Sequence, residues 1–167
     1  MLLKAAAATA AALALAVLIA VIAVNSRETA PVQPINFSHK LHAGDYKIAC
    51  VYCHINTRRS SIVAGIPSMQ LCMGCHKTVG KDMQEVQKLI RLWEQRRPIE
   101  WLKVNDLPDF VYFTHKRHVS ADVACETCHG QVEKMDRVSR GPIHSMESCV
   151  NCHLERKASV DCWTCHK

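Results

Sequence analysis

The sequence predicts a mainly α-helical and irregular fold with short helices, minimal strand and one N-terminal transmembrane helix. Three observations carry that expectation. All ten cysteines fall into five Cys-x-x-Cys-His motifs, aromatic residues make up only 5% of the chain, and an uncharged, Ala-rich run extends from Ala5 to Val24.

The motifs place Cys50 and Cys53 before His54, Cys72 and Cys75 before His76, Cys125 and Cys128 before His129, Cys149 and Cys152 before His153, and Cys162 and Cys165 before His166. That spacing attaches haem c covalently. The two thiols form thioethers to the porphyrin, and the adjacent imidazole ligates the iron. Histidine is 10 of 167 residues, so five chance histidines after five Cys-x-x-Cys pairs are rarer than roughly one in a million. Disulfides or a dithiol redox site would explain the paired cysteines but not the locked histidine. Zinc would need clusters of four ligands, which five separate Cys₂His units do not form. The expectation is five covalently bound haem c groups.

These groups change how the core is read. From Phe37 onward the chain has only about 26 residues per haem, too few aromatic side chains to build an interior, so the macrocycles supply the apolar core. The apo-chain is then expected to be unfolded, as small metal-dependent domains are.

Ala5 to Val24 has Lys4 before it and Arg27 and Glu28 after it. Its length suits a bilayer span better than a secretory signal. Its Leu, Ile and Val residues contribute about −2 to −5 kcal/mol toward insertion. Val21-Ile22-Ala23 also resembles a small-residue cleavage site, so a removed signal peptide is the alternative. Lys4 is the only early positive charge, which keeps the N-terminus cytoplasmic and exports the rest. The cytochrome is therefore expected on the periplasmic face of the cytoplasmic (inner) membrane. The formal charge of +6 is offset by haem propionates and points to no nucleic-acid site. Arg58, Arg59, Lys116 and Arg117 read as propionate partners or solvated charges.

An internal duplication organises the remainder. Phe37-Ser38-His39-Lys40-Leu41-His42 matches Phe113-Thr114-His115-Lys116-Arg117-His118, and Ser68-Met69 before Cys72 matches Ser145-Met146 before Cys149. The expected units are residues 1–24 as anchor or signal, 25–36 as linker, 37–79 as a two-haem module, 80–110 as a connector and 111–167 as a three-haem module. His39, His42, His115, His118 and His144 are the five histidines outside the motifs, an even match for five irons. On a helix, histidines at i and i+3 share one side but diverge by about 60°, so one can reach each of two neighbouring haems.

The second half, Phe113 to His166, is similar to the small periplasmic class III multihaem cytochromes. By that resemblance His115 pairs with His129, His118 with His153 and His144 with His166. By internal repetition His39 pairs with His54 and His42 with His76. The chain as a whole resembles the membrane-anchored pentahaem cytochrome subunit of alternative complex III. Besides the two His-x-x-His blocks, that resemblance rests on Pro98-Ile99-Glu100-Trp101-Leu102-Lys103-Val104, on Asp106-Leu107-Pro108, on Cys128-His129-Gly130 with Met135, and on the Ser-Met elements. It covers nearly everything after Pro34. Related anchored cytochromes serve other quinone-linked molybdopterin-family complexes.

Met69 and Met146 are competing axial ligands, and His/Met ligation would raise a potential; such a Met more often packs as pliable filler. Met73, inside a motif, is a poor candidate. In the connector, Met83, Val86, Leu89, Ile90 and Trp93 mark an amphipathic helix over Lys81 to Arg97, ended by Pro98. That helix either packs over the haem core or docks a partner subunit. Ile99 to Val111 reads as extended or turn-like.

With both axial positions filled, no iron is open to substrate. The expected role is an electron-transfer subunit, not an enzyme. The resemblance implies a quinol-oxidising complex with iron–sulfur or molybdopterin-like and integral membrane subunits, and a periplasmic acceptor such as a soluble cytochrome c. A multihaem reductase with one open haem is the enzymatic alternative, and a self-sufficient quinol dehydrogenase is another. Dehydrogenases of that kind often carry Met two residues after the motif, where this chain has Asn56, Thr78, Gln131 and Glu155.

Overall fold

The computed structural model describes residue 9, residues 11–21 and residues 30–167. Residues 11–21 are helical, and no helix among the described residues is long and apolar enough to cross a membrane. The remainder of the expected anchor, the Ile22-Ala23 part of the cleavage-like sequence and residues 25–29 of the linker lie outside the described residues.

Beyond residue 30 the described chain is helix and loop, without strand. A π-helical turn, Lys40–Asp45, follows His39. Then come α1 (Cys50–Cys53), α2 (Asn56–Arg59), α3 (Met69–His76), α4 (Gln84–Glu94), α5 (His115–Ser120) and α6 (Cys125–His129). A 3₁₀ turn, Val132–Lys134, precedes α7 (Met146–Glu155) and α8 (Cys162–Cys165).

The polypeptide has almost no interior of its own. Ile35, Met73, Val86 and Leu89 are the buried apolar residues among those described, and no large side chain is fully enclosed. Meanwhile Tyr52, Ile62, Phe110, Tyr112 and Trp163 stand exposed. A chain that buries so little apolar surface has little to set against its conformational entropy, in keeping with a core completed by bound groups.

The connector helix is shorter than its apolar pattern predicts. Met83 is extended and caps α4 instead of joining it, and its side chain is exposed. At the other end Arg96 adopts a φ of 53° and the Arg97 N–H folds back onto the Leu92 carbonyl before Pro98. Val86 and Leu89 face inward, whereas Trp93 is more than a third exposed. Leu89 and Ile90 pack with Ile35, Met69, Met73 and Trp101, so α4 covers the second motif.

The N-terminal strap is stitched to this connector. Gln33 donates from Nε2 to the Leu102 carbonyl and accepts the Leu102 N–H, both at 2.9 Å, so one side-chain amide imitates a paired strand. The Asn36 N–H donates to Glu85 at 2.7 Å.

The two halves meet along two seams. Helix α2 packs on α5, and the π-helical turn packs on the 3₁₀ turn. At the second seam the Lys40 N–H donates to the Met135 carbonyl at 2.9 Å and Ser38 Oγ to Asp136 at 2.7 Å. Gly44 belongs there because a Cβ would strike the Glu133 carbonyl.

Candidate haem-binding site

The first, third and fifth motifs each open a turn of helix. Ala49, Ala124 and Asp161 are extended, with ψ of 140°, 143° and 134°, and the chain turns helical at the first cysteine. In the first and fifth motifs the histidine N–H returns to the carbonyl of the first cysteine at 2.9 Å. One helical turn puts both thiols on the same side, with the imidazole beside them. The second and fourth motifs sit inside longer helices. Ser145 caps α7 through a reciprocal pair with Ser148, at 3.1 Å in each direction. Met69 packs into the apolar cluster, and Met146 is exposed.

The structure brings four of the five histidines outside the motifs to those within them. His39 faces His54 with ring centroids 6.5 Å apart, and His42 faces His76 at 6.1 Å. In the second half His115 faces His129 at 6.1 Å and His118 faces His153 at 6.0 Å. Two metal–nitrogen bonds of about 2 Å, with each ring centre ~1 Å behind its nitrogen, separate axial imidazoles by about 6 Å. The residues therefore fit an iron held between two imidazoles at these four motifs. At the fifth motif His144 and His166 make no such ring contact among the described residues. His166 instead lies against Phe110 at 5.9 Å.

An aromatic wedge sets each His-x-x-His pair. Phe37 stacks on His42 at 4.3 Å and meets His39 edge-on at 4.8 Å. Phe113 repeats both contacts, at 4.5 Å with His118 and 4.8 Å with His115. Phe37 and Phe113 were visible in the duplication, but their role was not.

Most rings are also held from behind. A backbone carbonyl faces Nδ1 of His42 (Ser38, 2.8 Å), His54 (Gly65, 3.1 Å), His76 (Val79, 3.0 Å) and His118 (Thr114, 2.9 Å). The same holds for His144 (Gly141, 2.9 Å), His153 (Ser159, 2.6 Å) and His166 (Phe110, 3.2 Å). A carbonyl only accepts, so the proton sits on Nδ1 and the Nε2 lone pair is left for a metal. The exceptions are His39, whose buried Nδ1 has no partner, His115, and His129, which meets the side-chain amide of Asn105 at 3.2 Å.

Burial, then His54 and His42, lowers the His39 pKa to about 4. His115 is lowered by burial, then His118 and His54, and His129 by burial, then His115, His144 and His54. All three are thus kept neutral, the form that ligates iron.

None of the ten cysteines is in a disulfide, and their neighbours show how the motifs abut. Burial, then Cys72, Cys50 and Cys75, raises the Cys53 pKa. Burial raises Cys125, followed by its contact with Cys50. Burial, then Cys152 and Cys149, raises Cys128, and Cys149 is raised by burial and then by Cys165. The motifs therefore follow one another in space as second, first, third, fourth and fifth.

Thiol pairs beside an imidazole, with a second imidazole facing it, define a multihaem c-type cytochrome. Residues 18–101 match the class III cytochrome c family, and residues 111–167 match cytochrome c7 and related cytochrome c. The multihaem cytochrome c subunit of a menaquinone reductase from Nitratidesulfovibrio vulgaris (strain Hildenborough) is 30% identical over 165 residues, covering 81% of this chain and 77% of that one. This chain belongs to the class III cytochrome c family. It binds haem c covalently and serves as an electron-transfer subunit rather than an enzyme.

Proposed function

We propose that the chain is a pentahaem cytochrome that carries electrons from a quinol-oxidising membrane complex to periplasmic acceptors, as in alternative complex III. The observation that carries this reading is the facing of imidazoles at 6.0–6.5 Å, which leaves no open axial position at four motifs. Bound there, haem c supplies a one-electron iron couple. Cys50, Cys53, Cys72, Cys75, Cys125, Cys128, Cys149, Cys152, Cys162 and Cys165 anchor five such groups. His54, His76, His129, His153 and His166 are the proximal ligands, and His39, His42, His115, His118 and His144 are the distal ones. The succession of motifs supports one continuous path through both halves. The apolar run at residues 5–24 supports anchoring in the cytoplasmic membrane with the cytochrome outside. Its partners would be iron–sulfur or molybdopterin-like and integral membrane subunits, with a soluble cytochrome c as acceptor.

A second reading follows from the relative's name: the chain serves a menaquinone-reducing complex, with electrons running inward. Affinity purification of the native complex, followed by stopped-flow haem absorbance, separates the two. Reduction of haem by a menaquinol analogue is the expected result. Haem reduced only by a periplasmic donor, with quinone consumed, establishes the second reading. Carbon monoxide binding to the reduced protein, or fewer than five haem adducts by intact mass, overturns the pentahaem electron-transfer assignment.

A further inference from the structure

The acceptors behind the imidazoles are unevenly distributed. At the second and fourth motifs both members of the facing pair have a carbonyl at Nδ1, as do His144 and His166, assigned to the fifth by the pentahaem reading. At the first, His54 has one and His39 has none. At the third, neither His115 nor His129 has one among the described residues, and the group facing His129 is the Asn105 amide.

Which end of that amide faces His129 is decided by a neighbour. The Gly141 N–H donates to Asn105 Oδ1 at 3.1 Å, so the NH₂ group is the end turned to His129. Gly141 has no freedom to release it, because its backbone lies so close that a Cβ would collide with the Cys128 carbonyl and His129 Cα. With Nε2 given to iron, Nδ1 carries the proton, and an NH₂ group does not accept it.

An Nδ1–H held by an acceptor makes the imidazole a richer donor and stabilises ferric iron. Without the acceptor, the ferrous state gains. We propose that the haem of the third motif is the most oxidising of the set, because Asn105 fills the place behind His129 where the other motifs have an acceptor and offers none. The first motif, with one acceptor, ranks next, and the second, fourth and fifth are more reducing. Shielding from water acts in the same direction, because it disfavours the more highly charged ferric centre. The Nδ1 of His39, at the neighbouring first motif, is buried. The two highest potentials then lie side by side where the halves meet, and electrons pool at that junction. This inference rests on the pentahaem reading.

The test is EPR-monitored potentiometry of the holoprotein and its Asn105→Asp and Asn105→Leu variants, with haem counted by pyridine haemochrome and intact mass. A carboxylate accepts from both Gly141 N–H and His129 Nδ1–H. Asn105→Asp is expected to move one midpoint of five downward, by about tenfold in that haem's redox ratio at fixed potential, about 59 mV for one electron. Asn105→Leu, which also offers no acceptor, keeps that midpoint high. Five haems with every midpoint unmoved in Asn105→Asp, or both variants shifting alike, overturns the inference while sparing the function. Fewer than five haems in the wild type overturns the reading beneath it.

Discussion

His39 and His54 face each other across 6.5 Å with ring planes 5° apart. His115 and His129 repeat the relationship at 6°. By contrast His42 and His76 are inclined at 64°, and His118 and His153 at 39°. Parallel axial rings split the two π-type d orbitals of a low-spin iron, whereas strongly inclined rings leave them close in energy. EPR of the oxidised protein is expected to show rhombic signals from the first and third motifs and a large-gmax signal from the second. A single class of signal from every haem would contradict the ring geometry.

Phe113 holds two imidazoles at once, so Phe113→Ala is expected to disturb two haems together. Burying a Phe ring is worth about 1.5–3 kcal/mol. Thermal unfolding of the holoprotein should register a loss of that size. Redox titration should show two midpoints moving, those of the third and fourth motifs. Movement of only one would assign the ring to a single ligand.

Gly141→Ala forces a Cβ into the Cys128 carbonyl. The backbone must give way, at a cost of about 1–3 kcal/mol as in other overpacked sites. Lowered haem retention at the third motif, read by peptide mass spectrometry, is the expected outcome, with His144 also loosened because its Nδ1 rests on the Gly141 carbonyl. Melting equal to the wild type would refute the close approach.

The Glu85 pKa is lowered first by the hydrogen bond from Lys88 and then by that from the Asn36 N–H. Because the folded value lies below the unfolded one, the contribution is present above the usual carboxylate range and disappears as the pH falls through the folded value. Glu85→Gln is expected to cost at most about 1 kcal/mol at neutral pH, and nothing in acid, where both proteins carry neutral side chains. A deficit of equal size at both pH values would mean that shape, and not charge, matters at this position.

The chemistry-bearing residues were legible because each motif announces its own spacing, and the duplication pointed to the histidines His39, His42, His115 and His118. The carbonyls behind the rings were not legible. Ser38, Gly65, Val79, Thr114, Gly141, Ser159 and Phe110 contribute only backbone oxygen, which any residue could supply. Asn105 lay in a stretch that read only as extended or turn-like, and only the folded loop brings it to His129. The two His-x-x-His blocks read as one repeated helix, yet the first is a π-helical turn closed by the Tyr46 N–H on the Leu41 carbonyl. The wider turn accompanies Gly44 lying against Glu133, a contact in the other half that the repeat itself does not contain. The α4 stripe failed at Met83 and Trp93 because helical periodicity does not mark where a cap begins or where a neighbour stops.

The clasp between Gln33 and Leu102 has a mechanical meaning. Force travelling along the backbone from residue 30 reaches that clasp, and then the Asn36–Glu85 bond, before it reaches His39. A pull or a thermal jolt arriving at residue 30 is shunted into α4 and its loop, so the histidine-bearing turns are insulated from it.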